Sequence, residues 1–344
     1  MWACVAMCIT MKLCDCYVGV RRHVRNHECY VIVVMNVYVC AVLLSLVCRH
    51  VHTHVFRVHG WKPLLLARPH AMPRSIKSLH GLGLPRWWVA LVQIVLLTNC
   101  CRDLSGLELF DGRGEWMRGM QNLGFDFEGF DIASNNDHDL LKRSGIKACL
   151  KLLVRVKAKG IVNIGIPCRC WIWLTRSRHK RSKHCPQGLE QTEWVKQNNL
   201  LASVVSYIIV TCSAWGIHII LENPKTSLLW YYKDVAEALF RVHAERFCIS
   251  MGSFGGQTQK HLILMSTLPW MSELQWISRA MPKRHKDKRH LCKIYKRNNL
   301  VKVKGKNGKL ASSAHYTYEY GYCCGKLWLG ESKESILTWL KLRW

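Results

Sequence analysis

Acidic residues are scarce in this chain. Its 344 residues include 22 Asp and Glu against 50 Lys and Arg, a formal net charge of +28. A surplus of that size points to a polyanionic partner, either nucleic acid or an anionic membrane surface, and says nothing about fold. Paired cysteine motifs are missing as well. Among 18 cysteines, the near neighbours Cys14-Asp15-Cys16, Cys100-Cys101 and Cys323-Cys324 have neither zinc-ribbon nor zinc-finger spacing. No metal site is expected, and reduced, buried thiols of an intracellular protein are the better account. Charge is also absent from Tyr30 to Cys48, YVIVVMNVYVCAVLLSLVC. At ~1.5 Å per residue, a helix of that length spans a bilayer, which leaves membrane contact through 30–48 open. Its richness in valine is equally strand-like. Arg21, Arg22 and Arg25 on one side and Arg49 on the other give no orientation. The run starts too far in for an ordinary signal peptide and lacks a small-residue cleavage site.

What is there begins after a linker marked by Pro69, Pro73, Gly81, Gly83 and Pro85. The apolar run Trp87 to Leu97 is too short to span and is expected to pack onto the domain that follows. That domain is organised around Leu107 to Ile132, LELFDGRGEWMRGMQNLGFDFEGFDI. A short apolar run leads into Asp111-Gly112-Arg113-Gly114. Glu115 to Leu123 reads as a helix with Trp116, Met120 and Leu123 on one face, Gly124 stops it, and Phe125 to Phe130 is a second strand closing on Asp131. Strand, glycine turn, helix, strand, acid is the first half of a nucleotide-binding βαβ unit. Glycine lets the backbone approach a ligand, and an acid ~20 residues on is placed for ribose hydroxyls. An ordinary αβ turn with a surface acid is the plainer alternative.

Alternation then continues to about Thr267. Helices are expected at Leu140–Val156, Glu190–Trp215 and Leu228–Phe240, and strands at Ile161–Ile164, Ile217–Leu221, Phe247–Met251 and Leu262–Met265. Such alternation implies an α/β fold, a mostly parallel sheet with helices on both faces and ligands beyond the carboxyl ends of its strands. Three strands end there in chemically capable residues: Asp111-Gly112, Pro167-Cys168 and Glu222-Asn223-Pro224. The expected division is an N-terminal extension at 1–104, a central domain at 105–270 and a basic region at 271–344. In that last region Gly305 to Gly308 resembles a hairpin turn between basic strands. Lys283 to His290 is a second basic cluster, either a solvated loop, a phosphate contact or a nuclear-targeting run.

The order FDGRG, strand-closing acid, Pro-Cys, Glu-Asn and a Gln/Lys element resembles the cytosine-carbon-5 DNA methyltransferases. It is similar above all to their divergent dinoflagellate-type branch, which carries a "PCSSW" loop and an "ENP" motif. The resemblance covers Leu107 to Thr267. It implies a Rossmann-like domain that binds S-adenosylmethionine, methyl transfer to a nucleic-acid base, foremost cytosine in DNA, and nuclear or other intracellular residence. Phe110, Gly112 and Gly114 match the turn that approaches the cofactor, Asp131 the ribose-binding acid, and Pro167 lies beside the same site. Cys168 matches the nucleophile that attacks carbon 6, and Glu222 the acid that holds the base at ring nitrogen 3. A thiolate is needed because carbon 5 of cytosine is a poor nucleophile until a neighbour is attacked. Arg169, Arg176, Arg178, Lys180 and Arg181, with Lys183, are expected to lower the thiol's pKa and hold phosphates, Lys260 to serve nucleic acid, and Trp171 or Trp173 to stack on a flipped base. The chain departs from the pattern at Glu115, where the family has a further glycine. It departs again at Arg169-Cys170, where related loops have two serines, and at Gln257-Thr258-Gln259-Lys260, which lacks arginine. A catalytically inactive, nucleic-acid-binding copy, free or membrane-tethered, is the alternative of another class.

Overall fold

The computed structural model describes residues 81, 83–98, 101–282, 292–297, 300–305 and 315–343. These belong to one compact unit, Arg68–Trp344. Tyr30 to Cys48 and Lys283 to His290 lie outside the described residues. Among the described residues, no helix is long and apolar enough to cross a membrane.

In chain order the elements are α1 (Arg86–Thr98), β1 (Leu104–Leu109), α2 (Glu115–Gln121), β2 (Phe127–Phe130), α3 (Arg143–Leu153) and β3 (Val156–Ile164). A short α4 (Arg176–His179) precedes the long α5 (Glu193–Ala214), β4 (His218–Pro224), α6 (Lys233–Arg241), β5 (Glu245–Ser250) and β6 (His261–Ser266). The chain closes with α7 (Met271–Ala280), β7 (Cys292–Arg297), β8 (Leu300–Gly305), α8 (Tyr318–Trp328) and α9 (Lys333–Leu342). Six strands form one sheet in the order β2-β1-β3-β4-β6-β5. β1 to β4 are mutually parallel, and β6 runs antiparallel to both of its neighbours, β4 and β5. The fold is therefore mixed α/β with a mostly parallel sheet.

Adjacent residues of the strands divide between two apolar cores, as pleating requires. Val162 and Ile219 face a core built with α1, α3, α5 and α6, while Ile161 and Ile220 face one built with α2, α7, α8 and α9. Both faces are covered, which is why these strands read as continuous apolar runs. α1 packs as expected: Trp88 is fully buried and its indole N–H donates to Thr211 Oγ1 at 3.0 Å.

The expected boundary at 270 does not coincide with any edge of the core. Cys323, Cys324, Ile336 and Leu340 are buried with Trp116 and Phe127, so the C-terminal helices cover one face of the sheet. The basic hairpin also differs from expectation. β7 and β8 pair with Arg297 opposite Leu300, and Gly305 sits at the far end, opposite Cys292. The crossing of α2 and α8 is in backbone contact. A Cβ on Gly119 would stand 2.5 Å from Tyr318 O, and one on Gly321 would stand 2.0 Å from Trp116 O. Gly321→Ala should therefore force the helices apart and lower stability by ~2–3 kcal/mol in denaturant titration. A midpoint and slope equal to those of the unchanged protein would contradict this packing.

Candidate functional site at the carboxyl edge of the sheet

β1 is followed by β2 on one side of it and, after α3, by β3 on the other. The strand order therefore reverses between β1 and β3, the switch point beyond whose carboxyl ends sheets of this kind place a ligand crevice. The turn leaving β1 is wound in the left-handed region, with φ of 62° at Phe110, 56° at Gly112 and 64° at Gly114. Glycine adopts this readily, whereas phenylalanine does so at a cost. Asp131, at the end of β2, fixes the turn. Its Oδ2 accepts from Gly112 N at 3.0 Å and its Oδ1 from Ala133 N at 2.7 Å. Beneath the turn, fully buried Glu108 accepts from Met117 N at 3.0 Å and from Asn163 Nδ2 at 3.4 Å. It thereby satisfies one of the free donors at the start of α2.

Burial, followed by the neighbouring Asp111 charge, holds the Glu108 carboxyl well above the usual carboxylate range. Asp111 is pushed up from 3.8 to about 6, first by burial and then by Asp131. Because the folded chain holds this proton more tightly than the unfolded one, the resulting stability is fully present below about pH 4 and lost as pH rises through about 6. Asp111→Asn should flatten the fall of the melting temperature across that window. A slope equal to that of the unchanged protein would contradict the assignment.

The second wall of the crevice follows β3. Gly165-Ile166-Pro167 leads into a short 3₁₀ turn, Cys168–Cys170. This segment is tied to β4 because Asn223 Nδ2 donates to Ile166 O at 2.9 Å. Cys168 is half-buried. Burial pushes its thiol up, the Lys260 ammonium pulls it back down, and Glu222 adds to the rise. Glu222 is buried at the end of β4. Its Oε2 accepts from the Tyr316 hydroxyl at 2.7 Å, and its Oε1 lies 3.8 Å from Lys260 Nζ. Tyr316 fits only because residue 165 is glycine, since a Cβ there would stand 2.4 Å from its hydroxyl. One residue earlier, His315 lies over Gly112, with Nδ1 3.4 Å from where a Cβ would be. The pair His315-Tyr316 thus reaches from the glycine turn to Glu222.

Three acceptor oxygens at this edge find no partner within the protein, Asp111 Oδ1, Asn163 Oδ1 and Asn223 Oδ1, while Glu222 Oε1 has only the Lys260 ammonium at 3.8 Å. Buried acceptors are ordinarily paired, so these atoms call for donors that the protein itself does not supply. Among the described residues, no three His, Cys, Asp or Glu side chains gather as a metal site. A shallow depression of about 700 Å³ at the opposite, amino edge is lined by Asp103, Glu128 and Arg155, among others. Arg155 already pairs there with Asp103 at 2.6 Å and Glu128 at 2.7 Å, so these charges are satisfied by one another.

Phe110, Gly112, Gly114, Asp131, Pro167, Cys168 and Glu222 all fall at the carboxyl edge. The basic loop divides. Arg169, Arg176, Arg178, Lys180 and Lys183 are exposed, but Arg181 is not a phosphate ligand on that surface. Its guanidinium is buried and stacked 3.8 Å over Trp171, donating to Asn199 Oδ1 at 2.8 Å, Cys170 Sγ at 3.2 Å and Pro186 O. Trp171 is fully buried beneath it and cannot stack on a base, whereas Trp173 is exposed. Lys260 is also turned inward, with 15% of its side chain exposed, and it pairs with Glu222 rather than facing outward for phosphate. Gln259 accepts from Ser250 Oγ at 2.7 Å. Sequence reasoning missed Glu108, Asn163, His315 and Tyr316. An acid inside an apolar strand was the available sign for Glu108; Tyr316 carried none. Compared with known proteins, the chain matches no protein-family model and no curated protein.

Proposed function

We propose that this crevice binds S-adenosylmethionine and that the protein methylates a nucleic-acid base, foremost carbon 5 of cytosine in DNA, through Cys168. The observation that carries the proposal is the convergence of a partly exposed cysteine, a buried glutamate and three unpaired acceptors, Asp111 Oδ1, Asn163 Oδ1 and Asn223 Oδ1, toward the carboxyl edge of the sheet. The residues present fit such a cofactor. The turn after β1 has glycine at two of its three left-handed positions, Gly112 and Gly114, and Asp131, with both oxygens accepting backbone N–H groups, keeps lone pairs for ribose hydroxyls. When bound, the cofactor supplies the methyl group.

In this reading the chain's own groups act on the base. The Cys168 sulfur bonds to carbon 6, which turns carbon 5 into a nucleophile for the methyl group. Loss of the carbon-5 proton and then of the sulfur restores the ring. Glu222, fixed through Oε2 by Tyr316, accepts through Oε1, which it shares with the Lys260 ammonium, from the amino edge of the ring, where a cytosine has a donor and a thymine does not. Arg169, Arg176, Arg178 and Lys180 hold phosphates beside the crevice, in keeping with the net charge of +28. Transfer of tritium from methyl-labelled cofactor to DNA and to RNA tests the proposal. Label in cytosine of DNA supports it. Binding to both polymers without label in either favours an inert relative, and label in RNA alone moves the substrate class.

A further inference from the structure

We infer that Lys260 is a positioning residue that makes Cys168 reactive, paired with the Glu222 carboxylate at the same edge of the sheet rather than contacting phosphate. The inference rests on the reading of Cys168 as the nucleophile. Its geometric basis is the pair of half-buried Lys260 with buried Glu222 at 3.8 Å. The Cys168 segment is held to the strand bearing Glu222 by the Asn223–Ile166 bond. Lys260 comes to this edge because β5 runs parallel to β4, so the turn from β5 to β6 lies at the carboxyl edge, and Lys260 immediately precedes β6. Glu222 cannot rotate to follow the ammonium, since its other oxygen is taken by Tyr316 at 2.7 Å.

The charged and titratable groups around the thiol are few. Facing Cys168 are Lys260 and Glu222. Facing Glu222 are Tyr316 and, one helical turn on, Tyr320, and both phenols are held well above their usual range by burial first. His315 faces Lys260, Arg113 and Glu115. None of the exposed arginines after Cys168 is among the groups that act on it. The cation that acts on this thiol therefore comes from the turn before β6, two strands away at the same edge, and it occupies the element in which the chain lacks arginine.

The test needs no nucleic acid and no cofactor, so it separates this inference from the methyl-transfer proposal. The full-length protein is treated with iodoacetamide across a pH series, and the rate of Cys168 alkylation is followed by mass spectrometry. Trypsin cuts after Lys159 and Arg169, so the peptide 160–169 reports Cys168 alone. Lys260→Gln should move the alkylation profile to higher pH and slow the reaction at pH 8 by roughly tenfold. Glu222→Gln should move it to lower pH, and Lys260→Arg should restore the original profile. Opposite shifts from two neighbours cannot arise from loosened packing, which would move both the same way. If Lys260→Gln lowers the melting temperature but leaves the profile in place, or if both variants shift it in one direction, the inference is wrong. Shifted profiles in a protein that methylates neither DNA nor RNA would uphold the inference while removing the proposed reaction.

Discussion

Cys168→Ser is expected to abolish methyl transfer, a loss of at least ~10³-fold in turnover, with cofactor affinity unchanged within about twofold. A serine hydroxyl is far less ionised than a thiol near neutral pH, so addition at carbon 6 fails even though size and position are preserved. Binding is spared because Cys168 sits in the 3₁₀ turn that follows β3, whereas the turn that would hold the cofactor leaves β1 and is fixed by Asp131. Phosphate contacts from the exposed basic loop are likewise independent of the thiol. Cys170→Ser is the matched control. Cys170 is buried and accepts from Arg181 at 3.2 Å, and a serine oxygen keeps an acceptor there. Activity retained in Cys168→Ser and lost in Cys170→Ser would reverse the assignment of the two cysteines.

Arg181→Ala should cost about 3 kcal/mol of stability. It removes the guanidinium from Trp171 and leaves Asn199 Oδ1, the Pro186 carbonyl and Cys170 without their donor in a buried place. For a domain of this size that corresponds to a melting temperature lower by roughly 6–12 °C. Lysine should not rescue it, because an ammonium neither stacks on the indole nor reaches several acceptors in one plane. Arg178→Ala, on the exposed part of the same run, should instead leave the melting temperature in place and weaken DNA binding in a salt-dependent manner. The reverse pattern, with Arg181→Ala stable but poorly binding, would restore Arg181 to the phosphate-binding surface.

The contrast between these two arginines shows how far the amino-acid sequence carries the argument. A basic run looks alike residue by residue, and only the path of the loop onto α5 decides that Arg181 turns inward to Asn199. The first βαβ unit was legible because its signals are local: an apolar strand, glycines where φ is positive, and an acid at a fixed distance. Strand ends such as Pro167-Cys168 and Glu222-Asn223 were legible for the same reason. Element limits were less so. The helix expected over Leu140–Val156 is confined to Arg143–Leu153, and the one expected over Leu228–Phe240 divides into a 3₁₀ turn, Leu228–Tyr231, and α6.

The C-terminal helices escaped for a different reason. α8, YEYGYCCGKLW, is built from glycine, cysteine and tyrosine, which are poor helix formers, and it forms because Gly321 fits against Trp116 of α2. α9 does carry a legible pattern, a Ser332 cap followed by buried Ile336, Leu337 and Leu340, but it follows a strongly basic stretch that reads as an extension. Tyr316 is 94 residues from Glu222, and nothing local to either residue announces their bond.

The most direct measurement of the central claim is trapping of the covalent adduct. DNA containing 5-fluorocytosine is incubated with the full-length protein and S-adenosylmethionine. Fluorine at carbon 5 cannot leave as a proton does, so the enzyme–base bond persists after methyl transfer. The adduct is then digested with trypsin and located by mass. A cofactor-dependent adduct is expected on the peptide 160–169, through Cys168, absent in Cys168→Ser and formed normally in Cys170→Ser. An adduct on another cysteine, or none on any DNA under conditions where the protein binds both DNA and cofactor, would contradict it.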